Sequence, residues 1–163
     1  MPPTLQICFV CLGNIVRSPL AENLFVHLTN EAGVLEKFEV SSSGTGAYHV
    51  GESPDPRMRR VAASHGYKYD GRARQFTKRD MDHFDLIIAM DLENMIDLET
   101  FVETAQQRNK IHLLREFDPQ GYQDAIVPDP YYGGINGFEE TYQIIERSVR
   151  GLIKALEERN QQF

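Results

Sequence analysis

Short apolar runs along this chain alternate with segments of helical periodicity. The first run extends from Leu5 to Val10, and a second from Phe38 to Ser42. The run from Phe84 to Met90 is nearly all apolar, as a central strand covered on both faces should be. A fourth run covers Ile111 to Leu114. These four runs are predicted to be β-strands.

Between the strands, apolar residues recur at the three- and four-residue spacing of amphipathic helices. One helix is predicted to begin at Ser18 as N-cap with Pro19 as its first residue. Others are predicted from about Asp55 to His65 and from Asp91 to about Thr104. The predicted inward positions, including those of a long helix near the end of the chain, are Leu20, Leu24, Phe25, Leu28, Met58, Val61, Ala62, Phe138, Tyr142, Ile145, Val149, Leu152 and Leu156.

Strands that alternate with helices predict an α/β fold, a doubly wound domain whose four-stranded parallel sheet has helices on both faces. Because the 163 residues contain no internal repeat and no linker, residues 1–163 are expected to form a single domain. Folds of this class bind ligands beyond the carboxyl ends of their strands. The loop after the first strand is therefore the first place to look for a site.

Composition narrows the cellular compartment and the classes of binding partner that this chain could have. A net charge of −7 is atypical of a nucleic-acid-binding protein. No apolar run approaches the roughly 20 residues of a membrane helix, and the first residues do not resemble a secretory signal. Cys8 and Cys11 are too few and too close to form a disulfide framework. We expect a cytoplasmic protein without nucleic-acid or membrane partners, either monomeric or weakly self-associating.

The loop after the first strand has the sequence Cys-x5-Arg-Ser, from Cys11 to Ser18. A loop that wraps a tetrahedral anion turns its backbone N–H groups inward, and Gly13 and Asn14 tolerate the positive φ that this requires. Arg17 offers a planar pair of donors to two phosphate oxygens, and the following helix adds its positive end. Cys11 is therefore expected to be a thiolate nucleophile, to which Ser18 could donate its hydroxyl.

A phosphoryl transfer to sulfur also needs a general acid that protonates the leaving oxygen. Asp129 is the best candidate, because the prolines on both sides restrict its backbone. Tyr131 and Tyr132 follow it and could form an aromatic wall for a phenyl ring. Taken alone, a Pro-Asp-Pro sequence with adjacent tyrosines is also typical of a surface turn.

The Cys-x5-Arg-Ser loop and the distant Asp-Pro-Tyr-Tyr sequence together closely resemble the low molecular weight protein tyrosine phosphatases, over Leu5 to about Leu156. The resemblance implies a phosphomonoester hydrolase that dephosphorylates phosphotyrosine through a phosphocysteine intermediate, with no metal or other cofactor. It assigns the nucleophile to Cys11, phosphate binding to Arg17 and the general acid to Asp129. Phosphate and other oxyanions are implied competitive ligands.

The same resemblance assigns supporting roles. Asn14 and Ser18 would hold the loop and stabilise the thiolate, and Ser42 would hydrogen-bond to Asn14. Asp91 matches the family's acidic residue after the third strand. The residues expected to bind the substrate are Leu12, Gly13, Asn14, Ile15, Val16, Ser18, Tyr48, Tyr131 and Tyr132.

The chain departs from the family pattern at two positions. Many members have a second cysteine in the loop that can protect the nucleophile by forming a disulfide, and Val16 stands there instead. Members often have a histidine just before an Ala-Arg-Gln sequence, whereas this chain reads Gly71-Arg72-Ala73-Arg74-Gln75. Neither departure affects the three residues assigned to the chemistry.

Three other functions remain open. An arsenate-reductase-like enzyme would need relay cysteines beyond Cys8 and Cys11. A phosphoarginine phosphatase of this fold goes with a threonine where this loop has Ile15. A non-catalytic phosphate-binding module would be expected to lack the cysteine or the acid. A metal hydrolase is poorly supported, since the histidines show no ligand spacing and are interpreted as surface or packing residues.

Overall fold

The computed structural model describes residues 4–131 and 135–161. Its sheet has four parallel strands in the order β2-β1-β3-β4, namely β1 (Leu5–Cys11), β2 (Phe38–Gly44), β3 (Leu86–Ala89) and β4 (Ile111–Leu113). The helices in the described ranges are α1 (Arg17–Glu31), α2 (Pro56–Ser64), α3 (Lys78–His83), α4 (Leu92–Glu99), α5 (Ala105–Arg108) and α6 (Ile135–Gln161). The predicted α/β fold with a four-stranded parallel sheet is confirmed.

Two apolar cores lie on opposite faces of this sheet. Because side chains alternate along a strand, β1 sends Ile7, Phe9 and Cys11 into one core and Cys8 and Val10 into the other. The first core contains the inner faces of α1, α2 and α6, and all thirteen predicted inward positions are buried in it. The second core lies under α3 and α4. The sheet is therefore covered on both faces, as an all-parallel sheet must be.

The helices differ from the predictions in three places, at two boundaries and in one helix that the sequence does not predict. The first helix begins at Arg17 with Val16 as N-cap, so Ser18 lies inside the helix and does not cap it. The helix predicted from Asp91 to about Thr104 ends at Glu99, where Thr100 is its C-cap. The short helix α5 then begins at Ala105. Helix α3 was not predicted, since its six residues bury only Met81. No helix in the described part of the chain is long and apolar enough to cross a membrane.

Candidate active site

A cavity of about 480 Å³ opens at the carboxyl end of β1, where α1 begins. Its position agrees with the general placement of ligand sites in doubly wound folds. The residues that line it are Cys11, Leu12, Gly13, Ile15, Val16, Arg17, Tyr48, His49, Asp129 and Tyr131. Segments 11–17, 48–49 and 129–131, which are far apart in the sequence, thus meet at one place.

The loop between β1 and α1 curls around the sulfur of Cys11. Asn14 adopts a φ of 55°, and its backbone N–H donates to Cys11 Sγ over 3.3 Å. Of the two residues that tolerate a positive φ, Asn14 adopts one and Gly13 does not. It is needed for space instead, since a Cβ there would lie 2.9 Å from Cδ2 of His49.

Two residues expected to contact the substrate lie behind the loop instead of lining the cavity. Asn14 and Ser18 are 3% and 0% exposed. Nδ2 of Asn14 donates to Ser18 Oγ over 2.8 Å, and Ser18 Oγ lies 3.0 Å from Cys11 Sγ. Because the serine oxygen already accepts from the amide, its own proton is available to a thiolate at Cys11. Their placement is that of supports for the nucleophile.

The support behind the loop continues to the second strand and to α1. Nδ2 of Asn14 also donates to Ser42 Oγ over 3.0 Å, and Ser42 donates to Oε1 of Glu22 over 2.6 Å. On its other side, Oδ1 of Asn14 accepts from the backbone N–H of Arg74 over 3.0 Å. Burial raises the pKa of Glu22, although the bond from Ser42 and the charge of Arg74 oppose it. Asn14 is thus fixed at both ends of its amide.

The end of β2 braces the same loop through its backbone. The N–H groups of Thr45 and Gly46 donate to the carbonyls of Cys11 and Leu12 over 2.8 and 2.9 Å. Gly44 lies so close that a Cβ on it would be 2.6 Å from the carbonyl oxygen of Leu12. A side chain at position 44 would therefore displace the loop.

Arg17 is almost fully buried at the base of the cavity. Its Nη1 donates to Oδ2 of Asp91 over 2.7 Å and to the carbonyl of Val127 over 2.9 Å. Burial would lower the pKa of Arg17, but the nearby Cys11, Asp91 and Asp129 outweigh this effect and raise it above its ordinary value. The guanidinium thus remains a fixed positive charge beside the sulfur.

Asp129 lies close to this guanidinium in the cavity. Its Oδ2 lies 3.5 Å from Nη2 of Arg17, and its Oδ1 accepts from the backbone N–H of Tyr131 over 3.0 Å. Its side chain is 38% exposed. The loop that carries it is attached to the sheet, since Val127 donates to the carbonyl of Met90 over 2.8 Å. A partly exposed carboxyl group is therefore positioned in the same cavity as the thiol of Cys11.

Aromatic and apolar side chains form the walls. Leu12 and Tyr48 are 40% and 79% exposed, whereas Ile15 and Val16 are buried at 8% and 4%. The guanidinium of Arg57 lies 5.2 Å from the ring centroid of Tyr131. Tyr132 falls outside the described residues. A planar aryl group would fit between such walls.

His49 also lines the cavity, whereas the sequence predicts only surface or packing roles for the five histidines. Its ring centroid lies 5.8 Å from that of Tyr131, and its Nδ1 bonds to the carboxylate of Glu52. Its place next to Tyr48 was the one sequence signal for this position. Glu22, Arg74 and Gly44 had no comparable signal, because each acts through a contact that is distant in sequence.

The second cysteine is outside the site. Cys8 lies on the opposite face of β1 from Cys11, with its Sγ 3.4 Å from Ser43 Oγ. Burial raises the pKa of its thiol to about 12, so it stays protonated. Across residues 4–131 and 135–161, no cluster of three or more His, Cys, Asp or Glu side chains is placed to hold a metal ion.

Comparison with known proteins gives one consistent family. The model of the low molecular weight phosphotyrosine protein phosphatases matches residues 6–162. A low molecular weight protein-tyrosine-phosphatase of Streptomyces coelicolor is 43% identical over 156 residues, which are 95% of this chain and 95% of that protein.

Solved structures agree with this result. A protein tyrosine phosphatase from Entamoeba histolytica superimposes with a TM-score of 0.90 at 38% identity, covering 96% of this chain and 99% of that one. An arginine phosphatase from Drosophila superimposes with a TM-score of 0.85 at 32% identity, covering 93% of this chain and 98% of that one.

Proposed function

This chain belongs to the low molecular weight phosphotyrosine protein phosphatase family, and we propose that it hydrolyses phosphotyrosine through a phosphocysteine formed on Cys11. One observation carries the proposal. The thiol of Cys11, the guanidinium of Arg17 and the carboxyl group of Asp129 line a single cavity at the helix N-terminus. This set provides a nucleophile, an oxyanion ligand and a proton donor, which are the groups that a metal-independent phosphoryl transfer requires.

In the first step, the thiolate of Cys11 attacks phosphorus and the bond from phosphorus to the tyrosine oxygen breaks. Asp129 gives its proton to the departing phenolate, which leaves as a phenol. Arg17 and the inward backbone N–H groups of the loop carry the charge on the equatorial oxygens.

In the second step, the ionised Asp129 takes a proton from water, and the resulting hydroxide attacks the phosphocysteine. The phosphorus–sulfur bond breaks, the thiolate is restored and inorganic phosphate is released. Ser18 supports this step, because its hydroxyl lies 3.0 Å from the sulfur that becomes the leaving group. The first step therefore needs the thiolate of Cys11 and the protonated form of Asp129 together.

The family's fold alone does not choose between aryl and guanidino phosphates, since an arginine phosphatase is among the similar structures. Ile15 lines the cavity of this chain and presents an apolar surface where the phosphoarginine specificity goes with threonine. Together with Tyr48 and Tyr131, it favours an aryl phosphate. The relay cysteines of an arsenate reductase are absent from the sequence, which holds only Cys8 and Cys11.

The deciding experiment compares initial rates on phosphotyrosine, phosphoserine and phosphoarginine peptides of the same sequence. The wild type should prefer phosphotyrosine, and an acid quench during turnover should trap one phosphoryl group on the peptide that contains Cys11. Cys11→Ser should abolish turnover while retaining phosphate binding, and Cys8→Ser is the matched control that should remain active. Faster phosphoarginine turnover, or an active Cys11→Ser variant, would refute the assignment.

We also propose a domain organisation, a compartment, a substrate class and an oligomeric state for this enzyme. The family model covers residues 6–162, which supports a single catalytic domain. The net charge of −7 and the thiol chemistry at Cys11 support a cytoplasmic enzyme without nucleic-acid or membrane partners. A phosphorylated protein or a small aryl phosphate is the substrate class, and inorganic phosphate should compete for the same site. Gel filtration across a concentration series would test the expected monomer or weak self-association.

A further inference from the structure

A second groove of about 250 Å³ lies directly beside the active-site cavity. Leu12 and Tyr48 line both spaces, so these two side chains form the partition between them. On its far side, the groove is bounded by Asp97 and Thr100 at the end of α4 and by Phe101. A substrate held in the cavity therefore has this groove as its immediate neighbour.

The groove has both polar and apolar walls, and Leu12, Tyr48 and Phe101 form the apolar ones. Leu12 and Tyr48 expose 40% and 79% of their surfaces, and Tyr48 presents a large aromatic face. Phe101 packs edge-on against Phe76 in the second core, with 5.3 Å between the ring centroids, so this wall is fixed by the fold. Such walls suit a side chain with a long aliphatic or planar body.

Asp97 is the one charged side chain among the described residues that line the groove. Its carboxylate makes no ion pair or hydrogen bond with any residue that the structure describes, whereas its backbone carbonyl accepts from Thr100. The other acidic groups near the active-site cavity are already paired, as Asp91 is with Arg17 and Glu52 is with His49. The groove therefore combines three apolar side chains with one exposed carboxylate that has no partner among the described residues.

From this combination, we propose that the groove binds the side chain of an arginine or lysine that lies within three residues of the phosphotyrosine in a protein substrate. The aliphatic stem would lie along Leu12 and Phe101, the cation over the ring of Tyr48, and its charge against Asp97. An extended peptide advances about 3.4 Å per residue, so a groove that shares Leu12 and Tyr48 with the cavity is within reach of residues near the phosphotyrosine. The inference rests on the proposed function, because the position is defined relative to a phosphotyrosine bound at Cys11.

Charge complementarity supports this occupant over an acidic one. A glutamate in the groove would meet Asp97 on a chain whose net charge is already −7, and like charges at short range are repulsive. Arginine should exceed lysine, because its planar guanidinium can stack on Tyr48 and also bind the carboxylate through two donors. The preference should weaken as salt concentration rises, since the groove is open to solvent.

The test uses phosphotyrosine peptides that carry arginine, lysine, norleucine or glutamate at each position within three residues of the phosphotyrosine. For the wild type, kcat/KM at one or more positions should be about three- to fivefold higher for arginine than for norleucine, which is the upper part of the range for an exposed ion pair. Asp97→Asn should abolish this ratio, and Asp97→Lys should reverse it in favour of glutamate. Each variant's turnover of p-nitrophenyl phosphate, which is too small to reach the groove, serves as its reference.

Glu36→Gln is the matched control. It removes the same charge at the amino-terminal end of β2, which is the opposite end of the sheet from the groove. It should retain the wild-type preference. An equal kcat/KM for arginine and norleucine at every position, or a preference that survives in Asp97→Asn, would overturn the groove assignment. Absence of turnover on p-nitrophenyl phosphate by the wild type would instead overturn the proposed function and the groove assignment with it.

Discussion

Arg17 and Asp91 are joined by a hydrogen bond of 2.7 Å that connects the loop after β1 with the residue that caps the helix after β3. The two oxygens of Asp91 have separate tasks. Oδ1 accepts from the backbone N–H of Asn94 over 2.8 Å and caps α4, whereas Oδ2 orients the guanidinium. The orientation of the proposed phosphate ligand therefore depends on two neighbouring strands of the sheet.

Replacing Asp91 by serine should separate these two tasks. Serine is as good an N-cap as aspartate, so α4 should persist, but its hydroxyl is too short to hold Arg17. We expect kcat/KM on p-nitrophenyl phosphate to fall about tenfold to hundredfold, because misplacement of a catalytic group by about 1 Å costs this much. The inhibition constant of inorganic phosphate should rise in parallel, while the melting temperature changes little. Unchanged phosphate inhibition would show that Asp91 does not orient Arg17.

Ser18→Ala removes the hydroxyl that lies against the nucleophile. Without this donor, the thiolate is a poorer leaving group, so hydrolysis of the phosphocysteine should slow more than its formation. Stopped-flow measurements on p-nitrophenyl phosphate should therefore show a larger burst of nitrophenol followed by a steady rate about tenfold lower. Thr29→Ala removes another buried hydroxyl of α1, one that bonds only to backbone carbonyls, and should leave the burst unchanged.

A feature could be predicted from the sequence where a single local pattern contains it. The strands and α6 follow from apolar runs and helical stripes, and the loop from Cys11 to Arg17 is continuous in the chain. Helix α3 could not be predicted in this way, because a single buried side chain, Met81, gives no periodicity. Local periodicity also cannot fix a helix start, so the Ser-Pro pattern predicts Ser18 as a cap although its hydroxyl lies against the sulfur of Cys11 inside the helix.

Features that depend on distant contacts were beyond the sequence. Arg74 lies 60 residues from Asn14 in the sequence, yet its backbone N–H donates to the side-chain amide oxygen of Asn14. The exact space around Gly13 and Gly44 depends on His49 and on the backbone of Leu12, so only the fold reveals why glycine stands there. The family resemblance supplied the bond between Asn14 and Ser42, which neither residue's local sequence indicates.

Asp129→Asn should remove the proton donor while preserving the shape of the loop. Asparagine can still accept the bond from the backbone N–H of Tyr131. General acid catalysis is worth about 10²- to 10⁴-fold, so kcat/KM on phenyl phosphate should fall by about that factor. The loss on p-nitrophenyl phosphate should be much smaller, because nitrophenolate leaves without protonation. Asp124→Asn, an identical change in the same loop, should behave as wild type. An equal loss for both leaving groups would contradict the acid role of Asp129.

The segment that carries Asp129 is anchored by a buried carboxylate. Asp118 accepts from Nε of Arg115 over 2.9 Å and from Nε of Arg147 over 2.6 Å, which joins the turn after β4 to α6. Arg115 also donates to the carbonyl of Ile126 over 3.1 Å. Burial alone would raise the pKa of Asp118, but its bonds to Arg147, Gln120 and Arg115 prevail and lower it to about 2.

This depressed pKa makes stability depend on pH in a defined direction. Because the pKa is about 2 in the folded protein and 3.8 for an aspartate free of such contacts, the stabilisation is complete above about pH 5 and is lost as pH falls towards 2. The full effect is about 2 kcal/mol, of which about 1 kcal/mol should be lost between pH 6 and pH 3. Urea denaturation of the wild type and of Asp118→Asn should show a stability difference that shrinks by this amount over that interval, whereas Asp124→Asn should track the wild type. A difference that is constant from pH 6 to pH 3 would mean that the charge of Asp118 does not anchor the segment.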